Sequence, residues 1–397
     1  MRVSIESGLL ESLVWRFTTI LLGLGIASAS ALGASKPHYV VTNDDVPPVL
    51  PSSVSFFAVA ADGNLTLKQK VLTGRGGIAG GYFGMDRISV LNNGNAECVY
   101  ESQASSGEIE GISVKTLKLG GHANGSAQDT GGANGVGLAM NSQYLYASFS
   151  DSSNIGTFRL KSGCSLSFVG DITVGGLHGG IIDGMAVHGN MMIATYADGS
   201  IESFDISAGM PVSNGDLQES TASRGGNIYP NGIDITSDGH FAIFGDTATS
   251  TIIEVSDISS GKLAKTVVYR LGKAQSSSNI MLSPDETLLY ISNTQGDKIT
   301  AAFFDKTTGK VTKGCTSGFL KGYVDNWSYL SGLALQKTTG TGGIVYVAEF
   351  GAPSSIAMIK VTSSGGKCTL KEMPNSPVSD PNSPGLLSIG SFPPRAF

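Results

Sequence analysis

Charge is scarce in this chain. Charged side chains are 15% of its 397 residues, against roughly a quarter in an average soluble protein. No cluster of basic residues occurs and the net charge is -6, which excludes an electrostatic nucleic-acid surface. Beyond residue 35 no apolar run is long enough to cross a bilayer. Only four cysteines are present, with no C-x-x-C among them, so zinc-ribbon and dithiol redox motifs are excluded. The chain also lacks G-x-S-x-G, H-E-x-x-H, a phosphate loop and a dinucleotide fingerprint. Disorder is excluded by the 41% apolar content. Glycine, in contrast, is abundant at 54 residues, which suits an all-β chain rich in tight turns.

One pattern dominates what is there. A short apolar run opened by a small polar residue recurs at Asp86, Asn134, Asp183, Asn231, Ser278 and Ser331, at intervals of 48, 49, 48, 47 and 53 residues. A fixed period of this size marks a repeat architecture. The unit from Ser278 reads as four strands, NIMLS, TLLYISN, DKITAAFFD and VTKGCTS, separated by Pro, Asp, Asn and Gly turns. Four strands in about 48 residues is one blade of a β-propeller. The first unit begins at HYVVTND, a second strand with no first strand before it, and continues through SVSFFAVAADG and NLTLKQKVLTG. The missing strand stands near the other terminus, at Pro384–Gly390. The expected fold is therefore all-β: a seven-bladed β-propeller over residues 37–397, with four-stranded blades. The C-terminal strand closes the ring as the innermost strand of the N-terminal blade.

Residues 1–31 differ. Arg16 precedes the apolar run Phe17–Ile26, and small residues follow to Ala31. This is the layout of a secretory signal cleaved after Ala31, with a retained N-terminal anchor as the alternative. A secreted, periplasmic or cell-surface monomer with no membrane span after cleavage is expected. In an oxidising compartment four cysteines hold one or two disulfides, and three pairings are possible. Cys164 and Cys368 occupy matching places in distant units and should not touch; Cys315 with Cys368, in neighbouring units, is the favoured bridge. Cys98 is left without an assigned partner, and four buried free thiols are the alternative.

Innermost strands line the axis of a propeller, so one place per strand forms a ring. Asp86, Asn134, Asp183 and Asn231 bring hard oxygen donors to four consecutive blades, suited to Ca²⁺ or Mg²⁺. Asp-Gly and Asn-Gly are equally turn dipeptides, in which the polar side chain bonds its own backbone. A second set, Asn43, Asp151, Asp198, Asp246 and Asn293, ends the second strands and is expected to accept local backbone N–H groups. His178, in GGLHGG before the fourth unit, is a candidate general base beside Asp183. Arg87 either holds a substrate carboxylate or carbonyl, or pairs with Asp86.

SPDETLLYISNTQGDKITAAFFDKTTGKVT (Ser283–Thr312) resembles the repeat of lactonase-type seven-bladed propellers, which include propeller-type 6-phosphogluconolactonases and carboxymuconate cyclase. HYVVTND resembles the YVTN repeat of exported propellers. YPNGIDITSDGHFAIFGDT and IIDGMAVHGN are similar to segments of the gluconolactonase and regucalcin family, whose metal ligands fall on Asn231 and Asp183, with Asp86 nearest to the third. The resemblance implies a small polar ligand, such as a sugar lactone, at the channel mouth. A metal on the four-residue ring would polarise the carbonyl, and Asp183 or His178 would activate water. The alternative function is a non-catalytic scaffold whose rim binds protein or glycan.

Overall fold

The computed structural model describes residues 38–44, 52–73, 87–93, 96–103, 106–124, 135–149, 152–224, 228–248, 250–273, 276–322, 329–336, 342–350, 354–380 and 386–394. The expected export signal, Asp86, Asn134 and Asp151 lie outside these residues. Seven antiparallel sheets form the blades. Blade 2 runs Ile88–Asn92, Glu97–Gln103, Glu108–Ser113 and Lys118–Asn124. Blade 3 runs Gly135–Met140, Tyr144–Phe149, Asn154–Leu160 and Leu166–Thr173. Blade 4 has Ile182–His188, Met191–Tyr196 and Ser200–Asp205, then an outer strand split into Val212–Ser213 and Gln218–Glu219. Blade 5 comprises Tyr229–Ile235, Phe241–Thr247, Thr251–Asp257 and Val267–Gly272. Blade 6 comprises Ser277–Leu282, Leu288–Asn293, Lys298–Asp305 and Lys310–Thr316. Blade 7 contains Tyr329–Gln336, Gly342–Phe350, Ser354–Ser364 and Lys367–Glu372, with Val378–Asp380 also paired to its third strand.

Blade 1 is shared, as expected. Tyr39–Asp44, Ser53–Val59 and Leu65–Leu72 are its second to fourth strands, and Leu386–Phe392 pairs with Tyr39–Asp44 as the first. Leu386–Phe392 also contacts the first strands of blades 7 and 2. It is therefore innermost, and the ring closes without a free inner edge.

The burial patterns explain the layering. Second strands are covered on both faces: YVVTND and LLYISN are buried throughout. Outer strands alternate, as KCTLKE does between half-buried and exposed, because only one face meets a neighbour. Seven apolar clusters fill the seven spaces between blades. Alternation divides one strand between two of them. Val345 and Val347 pack toward blade 6, whereas Tyr346 and Ala348 pack toward blade 1. Each such buried side chain contributes roughly 1.5–3 kcal/mol of transfer free energy.

Asp205, Asp257 and Asp305 end the third strands of blades 4, 5 and 6. Each carboxylate accepts the N–H two residues on, at 2.8–2.9 Å, and so fixes the turn to the outer strand. Two disulfides join neighbouring blades. Cys315–Cys368 links the outer strands of blades 6 and 7, the pairing favoured from sequence, and Cys98–Cys164 links blades 2 and 3. No cysteine is free.

Candidate functional site

The inner strands carry a repeated irregularity that places the site. In blade 4 Ile182 pairs with Tyr196 and Gly184 with Thr195, so Asp183 is an extra residue. The same β-bulge holds Asn231 in blade 5, Ser278 in blade 6, Ser331 in blade 7 and Val136 in blade 3. In blade 1 the bulge spans Leu387 and Ser388. In blade 2 the ladder begins at Ile88, with Arg87 just before it. A bulge re-aims a side chain and bends its strand, and here it does so at one level around the axis.

The register corrects two expectations. Asp-Gly and Asn-Gly are not turns at Asp183 and Asn231: both dipeptides lie inside first strands. The glycines serve close packing instead. A Cβ on Gly184 would stand 2.5 Å from the Asn231 carbonyl oxygen, and one on Gly232 2.5 Å from the Ser278 carbonyl oxygen. Inner strands converge at the axis, and a side chain there would force them apart. Second, the place equivalent to Asp183 in blade 3 is Val136, two residues beyond Asn134. Asp86 and Asn134, the other two donors expected on the ring, lie outside the described residues.

Asp183 and Asn231 remain together on adjacent inner strands. Asp183 is 8% exposed, its carboxylate accepts no hydrogen bond among the described residues, and it is pushed up to about 7 by burial. Asn231 is 5% exposed and its Oδ1 has no partner. Buried polar atoms are almost always satisfied, so an orphaned amide oxygen and an unpartnered carboxyl on adjacent inner strands are groups that a ligand's polar atoms could satisfy. Among the described residues no three His, Cys, Asp or Glu side chains form a metal cluster. One carboxylate and one amide oxygen, the ring donors among the described residues, are fewer than the six to eight oxygens calcium takes.

His178 is exposed, and its described contact is through its backbone: its N–H donates to Asp198 Oδ2 at 2.8 Å. Gly180 N–H donates to the same oxygen, and Ser200 N–H to Oδ1. Burial raises Asp198, but these hydrogen bonds outweigh it and hold the carboxyl below its ordinary value. Two of the glycines of GGLHGG are accounted for by packing: a Cβ on Gly176 or Gly180 would strike the Asp198 carboxylate. Arg87 is 2% exposed, and its N–H donates to Ser388 Oγ of blade 1. It is a buried residue of the blade 1–2 seam and not an exposed group at the mouth.

Of the other strand-end polar residues, Asn43 accepts the Ser388 N–H, while Asn293 chiefly donates, to the Lys298 carbonyl and Thr300 Oγ1. Asp246 departs from the expected role. It is fully buried, and among the described residues no donor group bonds to its carboxylate, which instead lies against the Glu254 carboxyl. Burial, with Glu254 beside it, raises it well above its ordinary range. Glu254 accepts the Thr221 and Ala222 N–H groups and the Thr266 hydroxyl. Glu349, raised to about 7 by burial, occupies the place in blade 7 that Asp246 holds in blade 5. Asp246 belongs to the strand-end set read from the sequence, whereas Glu349 is not marked there, being one acidic residue near the end of a strand.

A family model for lactonases with a 7-bladed β-propeller matches residues 98–381. Solved structures share the fold at low identity. A "putative 6-phosphogluconolactonase" of Bacteroides fragilis superposes with TM-score 0.65 at 16% identity, covering 91% of this chain and 100% of its own. A "hypothetical selenium-binding protein" of Sulfolobus tokodaii gives 0.61 at 11%, covering 91% and 94%. The periplasmic gluconolactonase of Pseudomonas aeruginosa gives 0.51 at 15%, covering 71% and 82%. No curated protein matches. The bladed repeat, the shared first blade and the family match agree: the chain belongs to the lactonase family of seven-bladed β-propellers.

Proposed function

We propose that this chain is an exported lactone hydrolase whose ligand binds at the mouth of the channel beside Asp183 and Asn231. The observation that carries this reading is the unpartnered, buried Asp183 carboxyl, held at about 7 on the inner strand, next to the orphaned Asn231 Oδ1. A base poised near neutrality combines a useful ionised fraction with proton-accepting power. Asp183 takes a proton from water as its oxygen attacks the lactone carbonyl carbon. The ring C–O bond then breaks, and the departing oxygen receives that proton from Asp183. Asn231 Oδ1 accepts a hydrogen bond from a ligand hydroxyl and orients the ring. Family membership and the 6-phosphogluconolactonase-like and gluconolactonase-like neighbours support a sugar lactone as the substrate class.

A chromogenic lactone assay tests this. Asp183→Asn should lower kcat by about 10²- to 10⁴-fold, the usual worth of a general base, with Asp305→Asn, in an exposed turn of blade 6, as the control. Full activity in Asp183→Asn would sink the assignment. Binding of a lactone without turnover by the wild-type chain would favour the scaffold reading. A calcium- or magnesium-dependent rise in Tm that Asp183→Asn abolishes would return a metal to the site.

A further inference from the structure

We infer that the cleft between blades 3 and 4, on the outer side of the ring and separate from the channel mouth, is a binding site for a small organic monocation with an apolar body. The cleft has a volume of about 400 Å³, within the range of small-molecule sites. Ile172 and Val174 of blade 3 face Phe204 and Leu217 of blade 4 across it, and Glu202 and Ser213 supply its polar groups.

The opening is built into blade 4. Its outer strand pairs at Phe204–Ser213 and Asp205–Val212, and again at Ser200–Glu219 and Ile201–Gln218, leaving Glu202 level with the gap. The residues that would have filled the gap are held on the far side. Asp216 accepts the Ser203 N–H, the Ser203 hydroxyl and the Leu263 N–H of blade 5, and Lys262 Nζ donates to the Asn214 carbonyl. Asn214–Asp216 is thus drawn toward blade 5, away from blade 3, while Leu217 stays on the wall of the cleft.

Glu202 is 7% exposed. The Tyr196 hydroxyl donates to Oε2 at 2.9 Å and the Ser213 hydroxyl to Oε1 at 2.5 Å. Among the described residues it has no ion-pair partner. Its counterpart in blade 5 is Glu254, since Glu202 pairs with Ala194 as Glu254 pairs with Phe244. Glu254 is satisfied by two backbone amides and a hydroxyl. Glu202 receives two neutral hydroxyls, leaving lone pairs on both oxygens free. A carboxylate desolvated among apolar walls with no countercharge is costly, and a cation entering from the cleft offsets that cost. A primary ammonium places its donors on the free lone pairs while its apolar part lies between Val174, Phe204 and Leu217.

The test is calorimetric titration of the full chain with phenethylammonium, against phenethyl alcohol and phenylacetate as neutral and anionic counterparts of similar size. The ammonium should bind at least about tenfold more tightly than the alcohol, as a charge-assisted hydrogen bond implies, and phenylacetate should not bind. Glu202→Gln should reduce ammonium affinity to that of the alcohol. Leu217→Trp, which fills the cleft and leaves Glu202 in place, should abolish binding of both with the melting transition retained. Equal affinity for ammonium and alcohol, unchanged binding in Glu202→Gln, or no saturable ammonium binding would each overturn the inference. Should Glu202→Gln fail to fold, the wild-type ligand comparison together with Leu217→Trp decides.

Discussion

Gly184 lies against the Asn231 carbonyl so closely that a side chain's first carbon would stand 2.5 Å from that oxygen. The nearest atom is a backbone oxygen that cannot swing aside, and Thr195 Oγ1 would stand at 2.9 Å. Gly184→Ala should therefore destabilise the ring by about 1–3 kcal/mol, the usual cost of overpacking, lowering the urea midpoint with an unchanged slope. Gly175→Ala is the control, because a Cβ there meets nothing within 4 Å. Equal midpoints for the two variants would show that the inner strands are not in contact at this level.

Asp183 should make stability pH-dependent. Its folded-state value of about 7 lies above the ordinary 3.8, so the folded chain keeps a proton that the unfolded chain has lost. Stability from the protonated form is complete below the ordinary value and is lost as pH rises through about 7. The full effect is on the order of 4 kcal/mol. Glu349, also raised to about 7 by burial, adds to the same window. Urea melts from about pH 4 to pH 8 should show a falling stability that Asp183→Asn makes shallower without abolishing. An identical slope in the variant would mean that Asp183 is solvated.

The two disulfides should contribute similarly and independently. They span 66 and 53 residues, and loop entropy depends only logarithmically on that length. Replacing either pair by serine should cost about 2–4 kcal/mol, and the losses should add, because the bridges join different pairs of blades. Tm values of the two paired variants and their combination test this. A bridge whose removal leaves Tm unchanged contradicts it.

Asp198→Ala should release the loop before blade 4. It removes the acceptor for the His178, Gly180 and Ser200 N–H groups. Amide hydrogen exchange at His178 and Gly180 should accelerate by at least about tenfold, while second-strand amides such as Ile193 keep their protection. If His178 exchanges at the wild-type rate, the loop is held by something other than this carboxylate.

The blade count, the order of strands and the closing segment were legible because each rests on period and alternation, which act within a few residues. The place of Asp183 was legible for the same reason. What spacing cannot show is a bulge. One extra residue shifts every later position on its strand, so Asn134 and Val136 look interchangeable until pairing partners are known. Gly184 and Gly232 read as turn formers because the strand they accommodate is about 48 residues away in sequence, at Asn231 and Ser278. The reason for Gly176 and Gly180 is equally out of reach of the local sequence, since it is the Asp198 side chain on a different loop. Glu202 and Glu254 look alike in sequence, and only the tertiary fold gives one of them backbone donors and the other a cleft.

The closing ladder sets how the ring responds to force. Tyr39 pairs with Phe392, and the pairs proceed inward to Asp44 with Leu386. The chain segments flanking Tyr39 and Phe392 leave from the same end of this antiparallel ladder. Tension between them loads one pair at a time, so the seam unzips at low force instead of shearing as a unit. Tethered by those two segments, the molecule would yield first at blade 1, and the stapled blade pairs 2–3 and 6–7 would hold until it had opened.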